Sequence, residues 1–234
     1  MDIDLHLHTT FSDCSSLSYE TVCEYVEKQM PLAITITDHG SVKACARLSR
    51  DFPELCVLWG VEVTAEEGDF LIFSEDTDYL SSLTVFHRSV CDLRRDEHNA
   101  VIWAHPRVPQ SSGWTGPDPI SKEILEVARH IDGLELYNGT MLFLATMGSV
   151  RQVYFDRLQQ IATSQKLTCT AGSDAHEKES FFKCWTTFPE SADTPRRMID
   201  ALKQGKVVPH YDRERFGGLQ IQLLPEAQRM LGNG

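Results

Sequence analysis

Polar and apolar positions alternate at the start of the chain, Asp2-Ile3-Asp4-Leu5-His6-Leu7-His8. Side chains two apart on a strand share a face, so Asp4, His6 and His8 point one way and Ile3, Leu5 and Leu7 the other. A purely structural strand would place Thr, Lys or Ser on such a polar face. Two imidazoles turned into one site suggest a metal, because neutral imidazole is the commonest metal ligand. The competing explanation is an exposed face that happens to be rich in histidine, and the rest of the chain decides between them.

A strand and a helix then alternate. Tyr19–Gln29 carries Val22, Tyr25 and Val26 at helical spacing and is stopped by Met30-Pro31. Residues 32–37 predict a strand that ends in Asp38-His39-Gly40, 41–50 a helix, and 56–64 a strand with Glu62 between Val61 and Val63. A carboxylate inside such a run is costly unless it is paired or coordinated. After the Glu66-Glu67-Gly68 turn, 69–73 reads as a hairpin partner. A helix over 79–95 leads to an apolar strand, 100–104, that ends in His105-Pro106-Arg107. Residues 107–119, rich in Pro, Gly and Ser, predict a loop long enough to cover a site.

Helix 120–130, strand 133–137 with Glu135 inside it, and helix 150–165 follow. Strand 167–171 runs into Gly172-Ser173-Asp174-Ala175-His176, the fourth strand to end on candidate ligands. A seventh strand is expected over 185–188. The next helix has Thr194 as N-cap, Pro195 at its first position, Gly205 past its end, and Met198, Ile199 and Leu202 as its buried stripe. Residues 205–234 form a tail ending in a helix, Pro225–Leu231, packed on the domain. About seven alternations without linker or repeat favour a closed parallel α/β barrel, which places its chemistry at the C-terminal ends of the strands.

At 234 residues the chain fits a single domain spanning 1–234, since such barrels run to about 200–250 residues. A net charge of −12 argues against a broad surface for duplex nucleic acid, and part of that acidity can be metal ligands. The seven cysteines are scattered and include no C-x-x-C pair, which suits a reducing compartment and mostly buried thiols. Cys14, beside Asp13, is read as a packed or exposed thiol rather than a soft ligand. With no signal peptide and no apolar span of about 18 residues, a cytoplasmic protein that does not engage membranes is expected.

Taken together, Asp4-x-His6-x-His8, Ser12-Asp13, Thr37-Asp38-His39, Gly60-Val61-Glu62, Ala104-His105-Pro106 and Gly172-Ser173-Asp174-Ala175-His176 resemble, in order and spacing, the motifs of the PHP (polymerase and histidinol phosphatase) family. The resemblance covers residues 1 to about 180. It implies a distorted seven-stranded (β/α)7 TIM-like barrel whose mouth binds two to three divalent ions, Mn, Fe or Zn. One ion would take His6, His8, Glu62 and Asp174, and another Asp13, His39 and His176. Glu62 would bridge to the last, with His105. Where the family has a further histidine this chain has Asp69, itself a competent hard ligand.

The ligand set has its own chemistry. Mixed imidazole and carboxylate donors suit borderline or hard divalent ions, and clustered ions activate water and offset phosphate charge. The expected function is therefore hydrolysis of a small phosphomonoester by metal-activated hydroxide, with a nucleotide or an oligonucleotide end favoured by the family resemblance. Asp38 and Arg107 are candidate catalytic groups, and Arg107 and Asn138 candidate substrate contacts, Arg107 as a bidentate phosphate ligand or else a surface arginine. Asp4 and Asp38 are positioned to orient imidazoles, and Glu135 to do the same or to form a structural pair. His87, His98, His130 and His210 lie outside every motif, with His210 the one that could approach the mouth. The rivals are an amidohydrolase-like enzyme cutting C–N or C–O bonds and a metal-binding scaffold that has lost catalysis.

Overall fold

The computed structural model describes residues 1–106 and 121–231. In chain order the elements are β1 (Asp2–Ile3), α1 (Tyr19–Gln29), β2 (Ala33–Ile34), α2 (Lys43–Asp51), β3 (Cys56–Val57), β4 (Gly60–Ala65), β5 (Gly68–Ser74) and α3 (Thr77–Ser82). There follow β6 (Asn99–Trp103), α4 (Lys122–Ala128), β7 (Gly133–Asn138), α5 (Gly139–Thr146), α6 (Gln152–Gln165) and β8 (Thr168–Gly172). The last are β9 (Cys184–Thr187), α7 (Pro195–Lys203), β10 (Val208–Tyr211) and α8 (Pro225–Leu231).

The mixed α/β class is as expected, but among the described residues the strands do not close into one seven-stranded barrel. They form a five-stranded sheet in the order β4-β5-β6-β7-β8, a three-stranded sheet β1-β9-β10 and the pair β2-β3. β5 runs antiparallel to both β4 and β6, while β6, β7 and β8 are parallel. Single bridges, Leu7 with Ala175 and His39 with Glu62, link the sheets where a closed barrel would have continuous ladders. The ladder is interrupted beside the ligand-bearing residues, whose backbone turns away from regular strand geometry: His105 and Asp174 both have positive φ, 28° and 52°.

Most helices begin and end as their caps dictate. Ser18 accepts from the Thr21 amide at the start of α1, and Met30 ends it in the left-handed conformation. Thr194 caps α7, with Pro195 as its first residue, and the expected stripe of Met198, Ile199 and Leu202 is buried. The expected helix over 79–95 is instead α3 followed by two short 3-10 turns, 83–85 and 90–92. Hydroxyls explain the break: Ser81, Ser82 and Thr84 each donate to a carbonyl three or four residues back, competition that disfavours a long helix.

Three apolar clusters enclose the sheets. The largest packs α6, through Tyr154, Phe155, Leu158 and Ile161, against Phe70, Ile72 and Leu134. A second joins Ile3 and Leu5 to Leu71 and α7, and a third joins Leu7 to α1 and α2. The apolar positions of the N-terminal alternation therefore divide between two clusters, Ile3 and Leu5 in one and Leu7 in the other. No described helix is long and apolar enough to cross a membrane.

Candidate metal centre

The strand expected through His8 is regular only over Asp2–Ile3, with a single bridge at Leu7, and His6 and His8 follow it, both completely buried. Their Nε2 atoms lie 3.0 Å apart. Glu62, on β4, reaches into the same place. Its Oε2 is 3.3 Å from His6 Nε2, 3.1 Å from His8 Nε2 and 3.3 Å from His39 Nδ1, and its Oε1 is 3.3 Å from His105 Nε2. Asp174 Oδ1 lies 3.4 Å from His6 Nε2, 3.5 Å from His8 Nε2 and 3.6 Å from His176 Nδ1. Seven of the nine expected ligands, His6, His8, His39, Glu62, His105, Asp174 and His176, thus converge from both ends of the chain.

The electrostatics are those of a compact mixed cluster. Burial disfavours charge on His6, yet the Glu135, Glu62 and Asp174 carboxylates outweigh it and raise its pKa well above the ordinary imidazole value. Burial would likewise raise Glu62, but His6, His105 and His8 hold it well below the usual carboxylate range. Asp174 is held down in the same way against its own burial, and burial lowers His39.

The donors fit a metal ion. Glu62 Oε1 is buried and accepts no hydrogen bond from the described residues although an imidazole nitrogen faces it, and a buried carboxylate oxygen left so is costly unless a cation fills the gap. Among the described residues three groups of ligand atoms occur, those within each group lying within 4.8 Å of one another: His6, Glu62 and His105; His6, His8 and Asp174; and His8, Cys14, His39 and His176.

A family model described as PHP-associated matches residues 156–207, the segment that carries Asp174 and His176. Among solved structures, a two-domain protein from Bacteroides vulgatus containing a predicted PHP-like metal-dependent phosphoesterase superposes with TM-score 0.60 at 16% identity, over 93% of this chain and 69% of that one. The chain has a PHP-domain fold. PsfC from Pseudomonas syringae is similar to this PHP fold with TM-score 0.59 at 15% identity, over 92% of this chain and 93% of the other. An amidohydrolase from Chromobacterium violaceum matches with TM-score 0.53 at 15% identity, over 91% and 99%. No curated protein matches the sequence.

Within this PHP fold the remaining candidates divide. Asp13 is exposed, and it is its neighbour Cys14 that joins a ligand group. Asp69 accepts from the Thr64 hydroxyl at 2.7 Å and belongs to none of the three groups. Asp38 accepts from the Thr9 amide and hydroxyl and from Ser12 Oγ, at 2.6–2.8 Å. It therefore fixes the loop after His8 and touches no imidazole directly. Asp4 similarly binds the amides of His6, Ser173 and Phe182. Asn138 is buried, donates to Glu135 Oε2 and caps α5 through the Met141 amide. Arg107 lies outside the described residues.

The group that does orient an imidazole is Glu135. Its Oε1 is 3.0 Å from His6 Nδ1, and its Oε2 accepts from the His105 amide at 2.9 Å. Gly172 makes this approach possible, since a Cβ there would stand 2.3 Å from His6 Cβ. Two cations were missed by sequence reasoning. Lys183 and Arg215 line a cavity of about 250 Å³ beside Asp174 and His176, together with Phe143 and Phe216. No motif marks them, because the tail folds back to bring Arg215 there. Of the other histidines, His87 and His98 are exposed, and His210 stacks on Trp185 with ring centroids 5.6 Å apart.

Proposed function

We propose that the chain is a metal-dependent hydrolase of small phosphomonoesters, with a nucleotide or an oligonucleotide end as the favoured substrate. The observation that carries this reading is Glu62, a buried carboxylate with four imidazole nitrogens at 3.1–3.3 Å and one oxygen without a hydrogen bond among the described residues. His6, His8, Glu62 and Asp174 would hold one divalent ion, His39 and His176 a second, and Glu62 with His105 a third. Manganese, iron or zinc suits these donors. Bound ions supply an activated water and offset the charge of a phosphoryl group.

The protein's own contribution is positioning. Glu135 fixes the His6 ring, and Asp38, through Ser12, ties the turn after His8 to the His39 backbone. Lys183 and Arg215 supply positive charge in the adjoining cavity, and Phe143 and Phe216 an aromatic lining. That pairing matches an anionic group joined to a small planar one. Seven free thiols fit a reducing, cytoplasmic setting.

The test is elemental analysis of protein purified without chelator, paired with hydrolysis of p-nitrophenyl phosphate, its diester analogue and nucleoside monophosphates under added Mn, Zn or Fe. The expected outcome is bound metal and metal-restored phosphate release, lost in His8→Ala and Asp174→Ala, with a raised KM for nucleotides in Lys183→Ala. Similarity to the Chromobacterium violaceum amidohydrolase gives a second reading, hydrolysis of C–N or C–O bonds. Turnover of amides or lactones with no phosphate release would favour it, and bound metal with no turnover at all would favour a scaffold.

A further inference from the structure

The third ligand group contains a residue that neither the motifs nor the comparisons assign. Cys14 Sγ lies with one ring nitrogen each of His8, His39 and His176, all four atoms within 4.8 Å of one another. His8 stacks between the other two rings, with centroids 4.6 Å from His39 and 4.5 Å from His176. Ligand atoms of a tetrahedral site, each about 2.0–2.3 Å from the ion, are separated by distances within that limit.

The turn that carries Cys14 is clamped on both sides. On one side Ser12 Oγ donates to Asp38 and accepts from the His39 amide at 2.9 Å. On the other, Ser15 Oγ lies 3.1 Å from the His8 carbonyl and 3.2 Å from the His176 carbonyl, and the Ser16 and Leu17 amides donate to that same His176 carbonyl. The backbone around all three imidazoles is thus bonded to the segment 12–17. Cys14 is also exposed, so a hydrated ion can reach the thiol, while its neighbour Asp13 joins no ligand group.

Resting on the metal-centre reading above, we infer that Cys14 is a thiolate ligand, which with His39 and His176 makes one site of the centre a sulfur–nitrogen site. On binding, the thiol releases its proton to solvent and a sulfur lone pair forms the bond to the cation, with no change of oxidation state. A soft thiolate favours zinc or cobalt over manganese, whereas the carboxylate-rich remainder suits harder ions. One site would then differ from its neighbours in metal preference.

The experiment is cobalt substitution of the whole chain, followed by near-ultraviolet and visible absorption. The expected result is a sulfur-to-cobalt charge-transfer band in the wild type, lost in Cys14→Ser and kept in Cys91→Ser and Asp13→Asn. Cobalt should also protect Cys14 from iodoacetamide, read by mass spectrometry of its peptide. Cobalt bound with visible ligand-field absorption but no sulfur band in the wild type would overturn the inference and leave the metal centre standing. So would a band that survives Cys14→Ser or disappears in Cys91→Ser. Failure to bind cobalt at all would overturn both readings.

Discussion

Replacing Glu135 by Gln should weaken metal binding at His6 without emptying the site of any ligand. Glu135 is buried and uses both oxygens: Oε1 faces His6 Nδ1 at 3.0 Å, and Oε2 accepts from the His105 amide at 2.9 Å and the Asn138 side chain at 3.0 Å. Gln has the same shape but one acceptor fewer. If its carbonyl oxygen serves the two donors, its NH2 group faces His6 Nδ1 and requires that nitrogen to be unprotonated. The imidazole proton then moves to Nε2, the nitrogen 3.3 Å from Glu62 and 3.4 Å from Asp174, and a metal ion must displace it. If the amide turns the other way, a buried NH2 meets two N–H donors, which costs about 1–3 kcal/mol for each group left unpaired. The first arrangement, the one that avoids this cost, should lower metal affinity by about 10- to 100-fold, the usual effect of losing a carboxylate behind a ligating histidine, or about 1.4–2.8 kcal/mol. Competition against a chromophoric zinc chelator measures this directly, with circular dichroism to show that the variant is folded. A folded Glu135→Gln protein that binds zinc as tightly as the wild type would refute the argument, because His6 would then not depend on Glu135 for its tautomer.

Gly172→Ala should destabilise the fold by about 1–3 kcal/mol or more, since the added Cβ would lie 2.3 Å from His6 Cβ and 2.6 Å from the His6 amide nitrogen; thermal melts with and without chelator should both show it. In the metal-free protein, Glu62 is held below its ordinary value of 4.5, so its stabilising contribution is present above pH 4.5 and is lost as the pH falls through the lowered value. His6 is held above 6.5, so its contribution is full below pH 6.5 and is lost as the pH rises through the raised value. The urea midpoint of chelated protein should therefore be highest between pH 4.5 and 6.5, and a midpoint rising steadily to pH 8 would contradict the ion-paired cluster. Among the thiols of metal-free protein, exposed Cys14 and Cys91 should react with a disulfide reagent first. Cys45 and Cys169, pushed by burial to about 11 and about 12, should react only on unfolding.

Much of the site was legible because its chemistry is written locally. His6 and His8 follow from a two-residue alternation, and His39, His105 and Asp174 from the ends of apolar runs. Cys14 was not, because a single cysteine in a serine-rich turn gives no sign of which imidazoles it will meet. Glu135, Lys183 and Arg215 were missed or left undecided for the same reason, since their partners lie on other strands or in the tail. In the fold, helical spacing and the Met30-Pro31 stop gave α1 and a cap gave α7, whereas α5 was hidden. Its residues, from Gly139 through Leu144 to Thr146, show no two-sided pattern, and Asn138, its cap, was read as a substrate contact. The closed barrel failed at the strand ends, where a period-2 pattern cannot tell a continuous ladder from single bridges such as Leu7 with Ala175.

The pairing of β1 with β9 also bears on how the protein is made. Asp2 lies opposite Thr187, and the Met1 amino group donates to the Phe188 carbonyl, so β1 has no sheet partner until the segment around Thr187 has left the ribosome. His6 and His8 must wait as long for Asp174 and His176. Contacts so distant in sequence are slow to form, and during that delay two histidines and a cysteine in an unfolded segment are open to any passing cation. The centre is therefore among the last parts to assemble in synthesis, and the first and last thirds of the chain should gain and lose protection from proteases together.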